Sequence, residues 1–443
     1  MIDLLRHRTY RHLFAAQVIA LIGTGLATVA LGLLAYDLAG ADAGRVLGTA
    51  LAIKMVAYVG VAPVAAALAQ GLPRRALLVG LDLVRAAVAL ALPFVSQVWH
   101  VYVLIFLLQA ASAAFTPTFQ ATIPDVLPDE KDYTKALSLS RLAYYMENLV
   151  SPMLAAALLT VVSFHDLFAG TVFGFLASAL LVVSVGLPAS APQTRRGIYE
   201  RTVRGMRIYL ATPRLRGLLA VNAAVAAAGA MVFVNTVVMV QSGFGLTQSA
   251  VAAALAAFGA GSMAAALALP RLLERWQDRT VMLAAIAVLV LMLLLGALGL
   301  DYRGLLGLWF MAGLAYASAQ TPSGRLLRRS AHPADRPALF AAQFALSHAC
   351  WLVFYPLAGW MGASWGMPAT FVVLALAAMA ATALAIGVWP VHDPEVIEHE
   401  HAALDAAQIH GPGGVPTGHG ICHAHTFWID DQHKRWPMRR VDR

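Results

Sequence analysis

Charged residues are scarce in this chain. Asp, Glu, Lys and Arg make up 12% of its 443 residues, whereas a soluble protein carries about 25%. It has only two cysteines, Cys350 in an apolar stretch and Cys422 near the end, so no disulfide framework is implied. The phosphate-binding pattern G-x-x-x-x-G-K-[ST] does not occur, and ATP-driven work is not expected. With 60% hydrophobic residues and a mean hydropathy of +0.71, the composition indicates an integral membrane protein.

Long apolar runs divide the chain. A membrane span needs about 20 predominantly apolar residues, and about twelve runs reach that length. The runs cover residues 13–36, 46–69, 76–97, 99–122, 134–160, 164–187, 215–240, 247–269, 280–299, 304–327, 338–361 and 366–389. The first run follows a basic N-terminal segment and is too long for the core of a signal peptide, so we expect an uncleaved span.

Basic residues are concentrated in alternate loops. One set of loops holds most of the Lys and Arg, whereas the other holds little beyond Arg45 and Arg303. The positive-inside rule places the first set and both termini in the cytoplasm, which predicts an integral protein of a bacterial inner (plasma) membrane. Because the net charge of +8 is dispersed in short clusters, we expect contact with anionic lipid headgroups and no nucleic-acid partner.

Two short matches point to an internal repeat. Thr116-Pro117 recurs as Thr321-Pro322 after 205 residues, and Arg75 corresponds to Arg279 after 204 residues. Two parallel six-span halves are a known plan of transporters. The predicted units are an N-terminal bundle (1–187), a cytoplasmic linker with an amphipathic helix (188–214), a C-terminal bundle (215–389) and a His-rich cytoplasmic tail (390–443).

Twelve spans in a six-plus-six repeat with a basic central loop resemble the major facilitator superfamily. Its hallmark after the second span is a G-x-x-x-D-R-x-x-R-R-like sequence; here ALAQGLPRRALL keeps Arg74 and Arg75, while Gln70 and Gly71 replace the Asp and the first Arg. The resemblance implies an all-α fold and a cytoplasmic gate held by charge pairs. Its residues would be Arg74, Arg75, Glu274, Arg275 and Arg279, with Asp82 and Arg85 as substitutes in the first half. The segment from Thr116 to Pro152 is similar to the efflux branch that includes macrolide, siderophore and nickel exporters.

The fifth run carries ionisable residues between apolar neighbours. Tyr144, Glu147 and Ser151 lie close to one helical face, and Arg141 and Asn148 lie on the adjacent stripe. A charge inside a span costs about 2.5 to 3.5 kcal/mol or more, which usually marks a water-filled pathway or a partner charge. We predict Glu147 as the proton-coupling group with Arg141 beside it; the alternative is a structural Glu–Arg pair.

Other polar residues inside the runs are candidates for a substrate cavity. In the family, spans one, four, seven and ten line the central cavity, and interhelical hydrogen bonding is an equal explanation for such residues. The candidates are Gln17, Thr24, Thr28, Gln109, Ser112, Thr116, Asn222 and Asn235. Lys54 and His348 also interrupt apolar runs, Lys54 either to pair with an anion or to snorkel outward, and His348 either as a packing residue or as a proton or metal site.

The tail holds eight of the fourteen histidines. Candidate metal ligands are His399, His401, His419, Cys422, His423 and His425. Imidazole and thiolate favour nickel, cobalt or zinc over magnesium or calcium, although any His-rich tract binds metal weakly. His-tailed nickel exporters of the superfamily resemble this arrangement.

The sequence therefore predicts a secondary transporter and not an enzyme. We expect proton-coupled efflux, an antiporter working by alternating access as a monomer, with a divalent metal such as nickel or cobalt as the substrate. An organic solute (a drug, a macrolide or a siderophore) is the alternative substrate, and a membrane metal sensor that does not transport is a further alternative. No resident cofactor is expected beyond metal on the tail.

Overall fold

The computed structural model describes most of the chain. The described residues are 2–61, 73–127, 150–151, 153–187, 198–332, 335–394, 396–402, 415–416, 420–429 and 436–437, with isolated positions at 129, 132, 136, 139, 140, 143 and 433. Nearly all of these residues are helical, as the apolar runs predict. Nine stretches of the described chain are long and apolar enough to cross a membrane, and one of them, Arg8–Gly60, contains the first two predicted runs.

Five helices of the first half are described. They are α1 (Arg8–Ala39), α2 (Ala43–Val56), α3 (Arg74–Ala91), α4 (Val98–Val126) and α5 (Phe164–Val183). Gly40, with φ of +55°, ends α1 and leads into the short turn before α2, a conformation that glycine adopts without strain. Ser163 and Asp166 form a capping box at the start of α5, which satisfies backbone donors that the first helical turn leaves free.

The two halves are joined by α6 (Ile198–Ala211), the helix predicted in the linker. Its buried residues Gly205, Ile208 and Tyr209 face the protein, and a Cβ at position 205 would lie 2.1 Å from the carbonyl oxygen of Ala338. Val203 and Leu210 are 47% and 49% exposed. The face that carries Val203 and Leu210 is thus exposed, while the face of Gly205, Ile208 and Tyr209 packs on the C-terminal bundle.

The second half contains seven described helices. They are α7 (Pro213–Val238), α8 (Gln248–Arg275), α9 (Asp278–Gly296), α10 (Tyr302–Gln320), α11 (Ser323–Arg329), α12 (Arg336–Trp365) and α13 (Met367–Val388). The tenth predicted run, 304–327, is broken: α10 ends at Gln320, and the short α11 follows Pro322. In the first half, by contrast, α4 continues through the equivalent Thr116-Pro117 to Val126.

Helix α7 occupies the centre of the second half, with Pro213, Arg214 and nearly every later residue of the helix buried. It packs on α13 and α12, while α1 packs on α5 and α2 packs on α12. A continuous hydrophobic core runs through both halves, and a smaller one joins the start of α1 to the end of α4. The contact of α2 with α12 is the main described contact between the halves.

The tail contains a small β-sheet, which the sequence analysis did not foresee. Its strands are β1 (Val396–Ala402), β2 (Val415–Pro416) and β3 (Gly420–Thr426), in the order β1-β3-β2 with antiparallel pairing. After β3 the chain returns to the helical core, because Phe427 and Ile429 are each only 2% exposed and belong to that core.

Candidate functional site: a cleft between helices and its two closures

A cleft opens among α1, α2 and α4. Its polar residues are Thr24, Thr28, Lys54 and Gln109, which the sequence analysis named as cavity candidates. Alanine, leucine and isoleucine side chains form the rest of its wall, and the cleft is narrow, with a volume of about 20 Å³. An apolar wall with a few polar groups is typical of a small-molecule site.

The polar groups of the cleft differ in how they are satisfied. The Thr24 hydroxyl donates to the carbonyl of Ala20 (2.9 Å), and the Thr28 hydroxyl donates to the carbonyl of Thr24 (3.0 Å). Gln109 is 6% exposed, and its Oε1 accepts no hydrogen bond from the described residues. Since an unsatisfied buried acceptor costs about 1–3 kcal/mol, Gln109 is the cleft residue best placed to receive a donor from a ligand.

Lys54 connects the cleft to the second half. Its Nζ lies 5.8 Å from the ring centroid of Tyr58, and Tyr58 in turn contacts the rings of Phe344 (5.8 Å) and His348 (5.4 Å) on α12. His348 Nδ1 lies 2.6 Å from the carbonyl oxygen of Phe344. The two ionisable candidates Lys54 and His348 therefore belong to one group of residues at the boundary between the halves.

Five aromatic residues of the second half form a cluster. Phe233 of α7 contacts Phe258 (5.3 Å), Tyr316 (6.3 Å) and Trp351 (6.0 Å), and Trp351 also contacts Tyr355 (4.8 Å). The indole fits closely over α7 because residue 229 is glycine: a Cβ there would lie 2.4 Å from the Trp351 ring. The sequence analysis missed this cluster, whose members come from four helices.

At the end of the molecule away from the basic loops, hereafter the opposite end, the two halves touch directly. A Cβ on Gly48 of α2 would lie 2.5 Å from the carbonyl oxygen of Tyr355, and one on Gly359 of α12 would lie 2.1 Å from that of Gly44. Asn235 of α7 lies in the same region, is fully buried and donates to the carbonyl of Ala358 (3.1 Å). The opposite end is therefore closed by backbone-to-backbone packing.

At the basic end, equivalent arginines act in the two halves. Arg75, at the start of α3, donates to the carbonyl of Val183 at the end of α5. Arg279, at the start of α9, donates to the carbonyls of Ile386 (3.4 Å) and Trp389 (3.1 Å) at the end of α13. An arginine satisfies the free carbonyls of a helix C-terminus and complements its dipole. The donors are 204 residues apart and the first-named acceptors 203 apart, so the repeat inferred from sequence is also a repeat of contacts.

Asp82 and Arg85 form a buried ion pair within α3. Asp82 is fully buried and Arg85 is 4% exposed; the hydroxyl of Ser178 on α5 also donates to Asp82 (2.8 Å). The Arg85 guanidinium lies over the rings of Phe115 (4.0 Å) and Phe175 (4.6 Å), a cation–π arrangement. The pair therefore fastens α3 to α4 and α5 within the first half.

In the second half, the buried acidic residue that pairs with an arginine is one that the sequence analysis did not name. Asp278 is 7% exposed and lies 3.5 Å from the Arg325 Nε of α11, whereas the predicted Glu274 and Arg275 are exposed. The signal was present in the sequence, since Asp278 directly precedes Arg279 in RLLERWQDR.

A network of ion pairs and hydrogen bonds, which the sequence analysis also missed, anchors the tail. The Arg214 side chain is 1% exposed and binds Asp393 (2.9 Å) and the Ser330 hydroxyl (2.8 Å), while Arg329 binds the other oxygen of Asp393 (2.5 Å). Trp436 of the tail covers Arg214, with 5.0 Å between guanidinium and ring. On α6, the Tyr209 hydroxyl donates to Gln343 Oε1 (2.5 Å), and burial raises the pKa of Tyr209 above its ordinary value.

The remaining cavity candidates are dispersed. Gln17 accepts from the Ser140 hydroxyl (3.0 Å), and Ser112 donates to the carbonyl of Leu108 (2.9 Å). Ser151 and Asn222 are buried, at 0% and 2% exposure. None of these four lines the cleft.

Several predicted residues lie outside the described part of the chain. These are Arg141, Tyr144, Glu147, Asn148 and His419. For Thr116 and for the tail residues His399, His401, Cys422, His423 and His425, the structure describes the helix or strand backbone alone. Among the side chains that it does describe, no group of three or more His, Cys, Asp or Glu is placed to hold a metal ion.

Comparison with known proteins agrees with this architecture. The family model described as "Major Facilitator Superfamily" matches residues 13–233 and 218–412. Macrolide efflux protein A of Streptococcus pyogenes is 26% identical over 181 residues, which are 40% of this chain and 44% of that protein. Macrolide efflux protein A of Enterococcus faecalis is 27% identical over 152 residues, 32% of this chain and 47% of that protein. The chain thus matches less than half the length of these relatives.

Solved structures share the fold at low sequence identity. The nucleoside transporter NupG superposes with a TM-score of 0.67 at 13% identity, covering 86% of this chain and all of that one. A bacterial homologue of the human lysosomal transporter Spinster, in an inward-facing and unoccupied conformation, gives 0.65 at 13% identity over 86% of this chain and 97% of that chain.

These findings define a polytopic α-helical membrane protein with two homologous bundles. The chain belongs to the major facilitator superfamily, a family of membrane transporters with the twelve-helix, two-domain fold.

Proposed function

We propose that this protein exports an organic solute across the bacterial inner membrane by proton-coupled alternating access. The observation that carries the proposal is the likeness to macrolide efflux proteins over 181 residues of the chain. The apolar wall of the cleft and the aromatic cluster around Phe233 and Trp351 are the kinds of surface that an organic solute contacts.

A nickel or cobalt ion as cargo, the first expectation from sequence, has less support. Lys54 is the basic residue of the cleft wall, and a fixed positive charge repels a divalent cation. The matching relatives are macrolide efflux proteins. An organic solute, the alternative in the sequence analysis, therefore becomes the main proposal.

Alternating access accounts for the asymmetry of the two ends. Backbone packing closes the opposite end around Gly48 and Gly359, and with the termini in the cytoplasm this end faces outward. In the proposed cycle this closed outer end belongs to an inward-facing state, in which the cleft would load from the cytoplasm. Rocking of the halves about the cleft would separate α2 from α12 and release the solute outside.

Glu147 remains our choice for proton coupling. A carboxyl group within a span carries a proton when it is dehydrated and loses it when water or a cation approaches. The return of the protonated, neutral group to the inward-facing state would couple proton entry to solute exit.

Accumulation of a labelled macrolide tests the proposal. Cells that express the protein should retain less label than cells without it, and a protonophore should remove the difference. Glu147→Gln should abolish efflux while the protein remains in the membrane, whereas the matched variant Asp37→Asn, which alters an exposed carboxylate outside the cleft, should not.

Three outcomes would redirect the proposal. Full efflux by Glu147→Gln removes the coupling mechanism. If cells with and without the protein retain the same amounts of macrolides, other labelled drugs and siderophores, while cells with it accumulate less nickel or cobalt, then the metal is the cargo. If the protein transports no solute and deletion of residues 390–443 removes all of its signalling output, the membrane metal sensor is favoured.

A further inference from the structure

The tail sheet brings together histidines that are distant in sequence. His399 of β1 pairs directly with His423 of β3, and Ile397 pairs with His425. Alternate residues of a strand belong to the same face, so positions 399, 401, 423 and 425 share one face of the β1–β3 pair. Glu400 and Cys422, which pair with each other, occupy the other face. The register thus separates the four histidines from Cys422.

The spacing of these positions fits a single metal ion. Residues directly opposite in an antiparallel pair have Cβ atoms about 4.5–5.5 Å apart, and diagonal neighbours are about 7–8 Å apart. Metal–nitrogen distances are about 2.0–2.1 Å, so the spacing of positions 399 and 423 is compatible with one shared ion. Positions 401 and 425 each lie on a diagonal of this central pair, on the same face.

We propose that this face of the tail sheet, on which the register places histidines at positions 399, 401, 423 and 425, binds one divalent transition-metal ion. Imidazole nitrogen selects nickel, copper or zinc over magnesium and calcium, which prefer oxygen ligands. The metal is a ligand of the tail and not the cargo, so the proposal is independent of what the transporter carries.

The tail sheet is anchored at one end to the C-terminal bundle. β3 continues into Phe427, whose ring contacts Trp436 (5.1 Å) and His433 (4.8 Å), and Trp436 covers the buried Arg214. Ile397 at the start of β1 also packs on the main core. Anchoring both strands reduces the entropy that metal binding has to remove, which favours a defined site over a loosely binding His-rich tract.

Calorimetric titration of the full-length protein in detergent tests the proposal. The protein is purified through a tag without histidine, stripped with a chelator, and titrated with Ni²⁺, Co²⁺, Zn²⁺ or Mg²⁺. We expect saturation at one transition-metal ion per chain and no heat of binding with Mg²⁺. The double variant His399→Ala/His423→Ala should bind more than about 100-fold more weakly, since even a residue that only orients a ligand contributes about 10- to 100-fold.

Matched variants distinguish a defined metal site from weak binding by any His-rich tract. His392→Ala/His410→Ala removes two tail histidines outside the described strands and should leave the affinity unchanged, as should Cys422→Ala on the other face. His399→Gln/His423→Gln should weaken metal binding as well. If its unfolding temperature is unchanged, the weaker binding is not caused by loss of the tail fold. Equal weakening by the central and the outlying pair, or several equivalent ions per chain, would overturn the proposal.

Discussion

The substitution Gly359→Ala should open the end of the molecule that glycines hold closed. The added Cβ would lie 2.1 Å from the carbonyl oxygen and 2.9 Å from the carbonyl carbon of Gly44. Both atoms are backbone on the other half, so relief requires α2 and α12 to move apart. Such overpacking costs about 1–3 kcal/mol, which corresponds to a shift of about 5- to 150-fold away from the closed state.

Double electron–electron resonance, which reports the distance between two spin labels, measures this shift. Labels at Asp42→Cys and Ser364→Cys, two exposed positions on either side of the contact, are introduced after Cys350→Ser and Cys422→Ser. Gly359→Ala should move the distance distribution toward a longer separation. Gly44→Ala should have a smaller effect, because its first obstacle is the side-chain oxygen of Asn235, 2.7 Å away.

Gly307→Ala provides the matched control. It is also a helical glycine in the second half, but a Cβ there meets nothing within 4 Å, so it changes only the helix propensity, by about 1 kcal/mol. If Gly359→Ala leaves the distances as they are in a folded protein, or if Gly307→Ala moves them as far, the reasoning about backbone contact is wrong.

Other predictions concern the stability of each half in detergent, read as the thermal unfolding temperature. Asp393→Asn removes a carboxylate that binds the buried Arg214 and should cost about 3–5 kcal/mol. Arg329→Gln, at a side chain that is 26% exposed, should cost much less; equal losses would contradict this ranking. Ser178→Ala removes a hydrogen bond to the buried Asp82 and should cost about 1–3 kcal/mol, which an unchanged unfolding temperature would exclude. Trp351→Ala should cost about 3–5 kcal/mol through the cavity it leaves, and it should lower the efflux of bulky solutes more than that of small ones.

Hydropathy was sufficient for the helical architecture. Each long apolar run within the described residues is helical, although run 304–327 is divided between α10 and α11, because a span must satisfy its own backbone hydrogen bonds in lipid. The repeat of Arg75 and Arg279 was also visible, since their separation of 204 residues nearly equals the 205 between Thr116-Pro117 and Thr321-Pro322. Nothing local predicted the break at Pro322, because the equivalent Pro117 lies within a continuous helix.

Contacts between distant residues were the part that sequence could not supply. Arg214 and Asp393 are 179 positions apart, and neither stands out from other charges in basic loops. Phe233 and Trp351 are ordinary apolar residues until the packing of α7 on α12 joins them. The pairing of His399 with His423 depends on strand register, which a polar tail with little alternation of apolar residues does not specify.

The arginine contacts at the basic end have a consequence for how the protein responds to salt. Arg75 and Arg279 each bind a helix of their own half, and Asp278 likewise binds Arg325 within the second half. The described closure at the opposite end is made by uncharged groups: glycines, backbone carbonyls, the amide of Asn235 and the hydroxyl groups of Tyr36 and Ser242. Ionic strength screens charges and leaves such contacts largely unaffected. High salt should therefore loosen each bundle internally while it leaves the balance between the two orientations of the halves almost unchanged.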